Sequence, residues 1–206
     1  MIVALAILLV AGLQVQAQET CIHEDGTTGE IKRFERYYTY EDQYHNTHTC
    51  TLYVKVCVTC SVVQGQFKIE LKGLESSEGC TITQQAYNDL LQLLCSEEGY
   101  REYCGSDIPP CPETAKYVVV EPICLVRTIA IIGHFPDDYE TKEVFFLCED
   151  TPYCVYSYER CYNVETRQYE LRNETFTVVG GEPTCPPNDW ENPVYDVCLK
   201  FRTNCK

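Results

Sequence analysis

Three observations in this sequence predict a mainly β fold built as two tandem, small, disulfide-rich antiparallel modules, the first with one short helix at about 81–95. There are 15 cysteines in 206 residues, close to the level at which an extracellular chain reads as a disulfide scaffold. The cysteine spacing repeats once along the chain. Alternation of apolar and polar residues, the mark of half-buried antiparallel strands, dominates over helical periodicity.

Residues 1–17, MIVALAILLVAGLQVQA, carry an apolar run from Ile2 to Leu13 that is too short to span a bilayer as a stable helix. Val15 and Ala17 form a small-residue cleavage pattern, so this stretch is expected to be a secretory signal peptide, although no Lys or Arg follows Met1. An uncleaved N-terminal anchor is the competing reading. Cleavage after Ala17 starts the mature chain at Gln18 and keeps every cysteine. The most apolar later stretch, Ile123 to Ile132, contains Arg127 and reads as buried strand, and no lipid-anchor tail is recognisable in FRTNCK. A secreted, extracellular protein without a membrane span is expected.

Module 1 is expected over 18–104 and module 2 over 124–206. Six cysteines define the first: Cys21, Cys50, Cys57, Cys80, Cys95 and Cys104, spaced x28, x6, x22, x14 and x8. Six define the second: Cys124, Cys154, Cys161, Cys185, Cys198 and Cys205, spaced x29, x6, x23, x12 and x6. Weaker markers follow the same register: Gly29 and Gly133, Phe34 and Phe135, KIELK at 68–72 and QYELR at 168–172. Such repeats bear on architecture before any element is assigned. Between the modules, Gly105, Pro109, Pro110 and Pro112 predict a stiff Pro-containing linker over 105–123. Each module is small, so its core is thin and disulfides are its main brace. Six cysteines allow 15 pairings, and spacing does not choose among them.

In the first module, TLYVKVCV (51–58) places Leu52, Val54, Val56 and Val58 on one strand face, and QFKIELK (66–72) does the same with Phe67, Ile69 and Leu71. Gly65 suits the hairpin between them. TITQQAYNDLLQLLC (81–95) is the helix, with Ala86, Leu90, Leu91 and Leu94 sharing a face. Thr81 with Gln84 offers a capping box. In the second module, 153–162, 175–179 and 197–201 read as strands, and Gly180-Gly181 as a turn. Prolines after Cys185 forbid a second long helix.

Fifteen is odd, so at least one thiol lacks an intramolecular partner. The repeat nominates Cys60, Cys111 and Cys148, which have no counterpart, as unpaired or intermolecular. A disulfide-linked homodimer or a matrix attachment would follow; a buried free thiol is the alternative.

Net charge is −15, which argues against nucleic-acid binding, since that needs clustered Lys and Arg. Residues 21–104 hold 13 acidic and 7 basic side chains, net −6, and residues 124–205 hold 14 and 7, net −7. The acidity is therefore spread rather than gathered in a tail. Weak calcium association is a partner expectation, although Glu97-Glu98, Asp137-Asp138 and Glu149-Asp150 match no EF-hand loop.

Motifs for chemistry are sparse. G-x-S-x-G, H-E-x-x-H and a phosphate-cradling Gly-rich loop are missing. His45 and His48 lie in a polar loop that lacks further ligands at a zinc spacing. Cys57-Val58-Thr59-Cys60 has C-x-x-C form, but sits within a strand pattern instead of opening a helix. It resembles a fragment of the von Willebrand factor C module, whose further C-x-C spacing is missing from this chain. No catalytic, cofactor or metal residues are assigned. Two tyrosine clusters, Tyr37, Tyr38, Tyr40 and Tyr44, then Tyr153, Tyr156, Tyr158 and Tyr162, suggest contact surfaces. Asn173-Glu174-Thr175 is an N-glycosylation sequon.

The resulting expectation is a secreted, acidic, non-enzymatic protein acting as an extracellular matrix or protein-interaction component, with a mineralised matrix among its settings. A venom-type toxin or effector binding a host or prey protein, and a secreted inhibitor module, are the alternatives.

Overall fold

The computed structural model describes residues 19–61, 66–96, 99, 103, 104, 108–134 and 138–202. The expected signal peptide, Gly65, Glu97-Glu98 and Cys205 lie outside them.

The fold is mainly β and disulfide-rich. Its strands are β1 (Thr20–Ile22), β2 (Thr28–Glu41), β3 (Thr47–Ser61), β4 (Gln66–Ser76), β5 (Ala115–Pro122), β6 (Cys124–His134), β7 (Asp138–Leu147), β8 (Tyr153–Asn163), β9 (Gln168–Val179) and β10 (Cys198–Lys200), with helix α1 (Gln84–Leu94) between β4 and β5. All ten strands belong to one sheet. β1 to β4 form an antiparallel meander, as the alternating runs at 51–58 and 66–72 suggest.

The sheet branches at β4. Residues 66–70 of β4 pair in parallel with 116–120 of β5, and Gly73–Glu75 pair antiparallel with Val144–Phe146 of β7. One branch continues through β8 to β9 and the other through β6 to β10. This corrects the expected linker: residues 115–122 of the 105–123 stretch are a buried strand held between β4 and β8. The prolines stop short of that strand, and AKYVVV has the near-continuous apolar character of a strand covered on both faces.

α1 covers the inner face. Its Ala86, Tyr87, Leu90, Leu91 and Leu94 are buried, matching the sequence face with Tyr87 added. Tyr87, Leu90, Leu91 and Leu94 share one core with Leu52, Val54, Val56 and Val58 of β3, Ile69 and Leu71 of β4, and Tyr117 and Val119 of β5. The N-cap is Thr83, whose hydroxyl accepts the Ala86 backbone N–H at 3.2 Å. The anticipated Thr81–Gln84 box is not used; the Thr81 carbonyl accepts the Tyr38 hydroxyl instead.

The disulfides are Cys21–Cys57, Cys50–Cys80, Cys60–Cys104, Cys111–Cys161, Cys124–Cys185 and Cys148–Cys198, and Cys154 is also disulfide-bonded. The three nominated thiols, Cys60, Cys111 and Cys148, are thus all paired, while Cys95, assigned above to a bridge, is the free cysteine among the described residues. Cys80 and Cys104 flank α1, and their partners Cys50 and Cys60 both lie on β3, so the two bridges clamp the helix to that strand. Cys95 ends the helix inside this clamp, with its backbone hydrogen-bonded to Leu91.

Pairing does not follow the repeat register. Cys21–Cys57 would require Cys124–Cys161 in the second half, where Cys124 bonds Cys185 and Cys161 bonds Cys111. KIELK lies in the buried centre of the sheet and QYELR on the exposed strand β9. The shared spacing therefore corresponds to no shared bonding pattern.

Candidate functional site: a cleft between the helix and the sheet

Between α1 and the β5–β8–β9 branch lies a cleft of about 490 Å³, in the size range of small-ligand sites. Asn88, Leu91 and Gln92 of α1 and the adjoining Cys95 form one wall, and Val119 and Glu121 of β5 with Tyr156 of β8 form the other. Phe176 of β9 and Arg202 complete its lining with Cys154.

An aromatic series leads to it. Phe67, Tyr117, Tyr158, Tyr156 and Phe176 follow one another across β4, β5, β8 and β9 at centroid separations of 5.1, 5.3, 4.8 and 4.3 Å. Cross-strand pairing places Phe67 beside Tyr117, Tyr117 beside Tyr158 and Tyr156 beside Phe176, and Tyr156 and Tyr158 are two residues apart on one face of β8. Tyr158 is buried and its hydroxyl donates to the Cys95 carbonyl at 3.0 Å, whereas Tyr156 reaches the cleft and donates to Glu174 at 2.9 Å.

Glu121 is 6 % exposed, and its Oε1 lies 2.6 Å from Arg202 Nε. Burial pushes its carboxyl up to about 7, with the Arg202 charge pulling the other way. Burial likewise pushes the Cys95 thiol up to about 12, aided by the Glu121 charge. At neutral pH this cysteine is a protonated, weakly nucleophilic thiol.

A second buried polar cluster sits on the opposite face of the sheet. His23 and Glu70 are both withdrawn from water, with Nδ1 and Oε2 3.0 Å apart. His23 Nε2 lies 2.8 Å from Thr59 Oγ1. Thr59 donates to the Thr28 carbonyl at 3.0 Å, so its hydroxyl proton is not presented to the imidazole as in a nucleophile–base pair. Burial alone would raise the Glu70 carboxyl; hydrogen bonds from His23 and Lys72 and the Lys72 charge outweigh it and bring the group below its ordinary value.

Gly29 makes this cluster possible. A Cβ there would stand 2.7 Å from His23 Nε2, 2.8 Å from the Val58 carbonyl and 2.9 Å from Cys57 Sγ. Sequence reasoning missed His23, since a lone histidine in a short polar segment carries no signal that Glu70 lies above it.

The other residues singled out in the sequence are dispersed. His45 pairs with Glu41, and His48 lies 3.0 Å from Asp42 on the β2–β3 hairpin. Cys57 and Cys60 bond different partners, so C-V-T-C is not a redox couple. Tyr37, Tyr38 and Tyr40 sit on β2, Tyr44 in the turn after it, and the second cluster on β8, with β3, β4 and β5 between the two strands; Tyr158 belongs to the core. Asn173 lies on β9 with φ 53°, where the β8–β9 pairing slips by one residue. In β6, Ile129, Ile131 and Ile132 are 40, 61 and 44 % exposed, so the far end of that strand is not buried as expected. Among the described residues, two groups hold three ligand-type side chains close together, Cys124/Cys185/Cys198 and Cys111/Cys161/Glu170, and their sulfurs are committed to disulfides. Among the described residues, no helix is long and apolar enough to cross a membrane.

No family model, curated protein or solved structure matches this chain.

Proposed function

We propose that this is a secreted, disulfide-braced, non-catalytic protein that works by binding in the extracellular space, as a matrix or protein-interaction component. The observation that carries this reading is the state of the cysteines: all but one of those described are disulfide-bonded, a pattern of oxidising compartments. The remaining thiol supports binding over chemistry, because burial keeps it protonated. The cleft beside it presents aromatic rings, two amides and a carboxyl–guanidinium pair, a set suited to holding a ligand by contact and hydrogen bonding.

Expression of the full chain in animal cells with its own N-terminus tests the reading. The protein is expected in the medium, starting at Gln18, running as an oxidised monomer without reductant. Retention in the cytosol with reduced cysteines would overturn it.

A further inference from the structure

On the outer face, away from α1, lies a groove of about 550 Å³ that shares no residue with the cleft. Two cross-strand rows build it. Arg33, Lys55, Gly73 and Phe146 face one another across β2, β3, β4 and β7, and Glu35, Tyr53, Glu75 and Val144 form the next row. Residues in register on adjacent strands project to the same side. Gly73 contributes no side chain, so the first row has a gap between Lys55 and Phe146.

Two further features coincide there. Lys55 pairs with Gly73 and Val56 with Leu71, leaving Lys72 as the extra residue of a β-bulge. β4 also exchanges β5 for β7 as its neighbour over the same residues. Bulges redirect side chains and gather beside functional sites. A glycine inside a strand costs stability and often marks the close approach of a ligand. Packing does not demand this glycine as it demands Gly29: a Cβ at Gly73 would meet only the Phe145 carbonyl, at 3.3 Å.

The walls are aromatic and the rim is charged in balance. Tyr53 and Phe146 are 41 and 47 % exposed; they stand in adjacent rows, two strand spacings across and two residues along the sheet, roughly 12 Å from each other. Arg33 and Lys55 share Glu19, at 2.6 and 3.8 Å. Lys72 pairs with Glu70 and Glu24, and Glu75 with Lys142. A polyanion would find these cations already matched, on a chain of net charge −15. An apolar protein plug would have to desolvate the charged rim.

The geometry points to a neutral glycan as the occupant. The glycan chain crosses the Gly73 backbone, one hexose setting its C–H face against Tyr53 and another setting its own against Phe146, whose π faces are negative. Its hydroxyls reach the Glu35, Glu75 and Lys55 heads, donating to carboxylates and accepting from the ammonium. The inference concerns a surface separate from the cleft and does not depend on secretion.

Titration of the purified full chain with neutral hexasaccharides of glucose, mannose and N-acetylglucosamine, followed by calorimetry and NMR, tests it. At least one is expected to bind and to shift the Tyr53 and Phe146 ring signals. Tyr53→Ala and Phe146→Ala are each expected to weaken binding about three- to tenfold, a loss typical of a removed ring contact. Phe176→Ala, in the cleft, should leave it unchanged. Both groove positions are exposed, so these variants keep the core intact, and the ring shifts in the unmodified protein give a readout independent of any variant. No binding by the neutral panel at millimolar concentration, tighter binding of a heparin hexasaccharide, or binding that survives the double Tyr53→Ala/Phe146→Ala change would overturn the proposal.

Discussion

Arg127 and Glu143 form an ion pair from which water is excluded on both sides, 0 and 2 % exposed. They lie on neighbouring strands β6 and β7, and the Arg127 guanidinium sits 5.6 Å from the Phe145 and Trp190 ring centres and 5.7 Å from that of Tyr195. Glu143 also accepts the Ile82 backbone N–H at 2.6 Å, which joins the pair to the segment entering α1. Breaking such a pair strands a charge in an apolar setting and typically costs ~3–5 kcal/mol. Arg127→Ala and Glu143→Ala are each expected to lose that much in denaturant unfolding. The double change Arg127→Met/Glu143→Leu is expected to cost less than either, because it leaves no buried charge; a double variant as unstable as the two singles combined would contradict this.

The Glu121 carboxyl gives stability a pH dependence of known sign. Its ordinary value is 4.5 and burial raises it to about 7 in the fold. Between those values the folded chain binds the proton more tightly than the unfolded chain, so this group's contribution declines as pH rises from about 4.5 to about 7 and is level above. The full change is of order 3 kcal/mol. The difference in unfolding free energy between the parent and Glu121→Gln, measured across that range, is expected to show this slope, and a flat difference would refute it.

Cys95 is expected to resist alkylation in the folded protein. With its thiol pushed up to about 12, iodoacetamide at pH 8 should modify it slowly, and quickly after denaturation. Peptide mapping should find Cys60, Cys111 and Cys148 in intramolecular bridges, and rapid labelling of native Cys95 would count against the buried thiol.

Gly29 and Gly73 are expected to differ in tolerance. Gly29→Ala drives a methyl group into the Val58 carbonyl, His23 and Cys57, an overpacking that costs about 1–3 kcal/mol. Gly73→Ala meets a single contact at 3.3 Å and should change stability by less than half as much. Thermal unfolding of both variants compares them directly.

Asn173 lies on β9, exposed and away from the core. In a secretory host the sequon is expected to carry a glycan, seen as a mass shift removed by a glycosidase and lost in Asn173→Gln, with little change in melting temperature.

Where the signal was local, the sequence was readable. The alternating runs around Leu52 and Ile69 became strands with those faces inward, and the spacing of Ala86, Leu90, Leu91 and Leu94 set the buried side of α1. β5 was hidden because its apolar run follows four turn-forming residues and lacks alternation, as expected for a strand covered on both faces. The cleft and the groove were not readable, because each joins residues from three or more separate elements.

By itself, the sequence determined the class of the fold, the helix and its buried face, the even spread of acidity and the richness in disulfides, all properties of composition or of periods within a single segment. The tertiary structure alone decided which of the described cysteines stays free, where the sheet branches and which carboxyl is forced towards neutrality. Cys95 is left out because the bridges on either side of α1 both run to β3, and Glu121 is perturbed because β5 is carried beneath the helix. Both outcomes depend on how distant strands pair, and cysteine spacing does not encode that pairing.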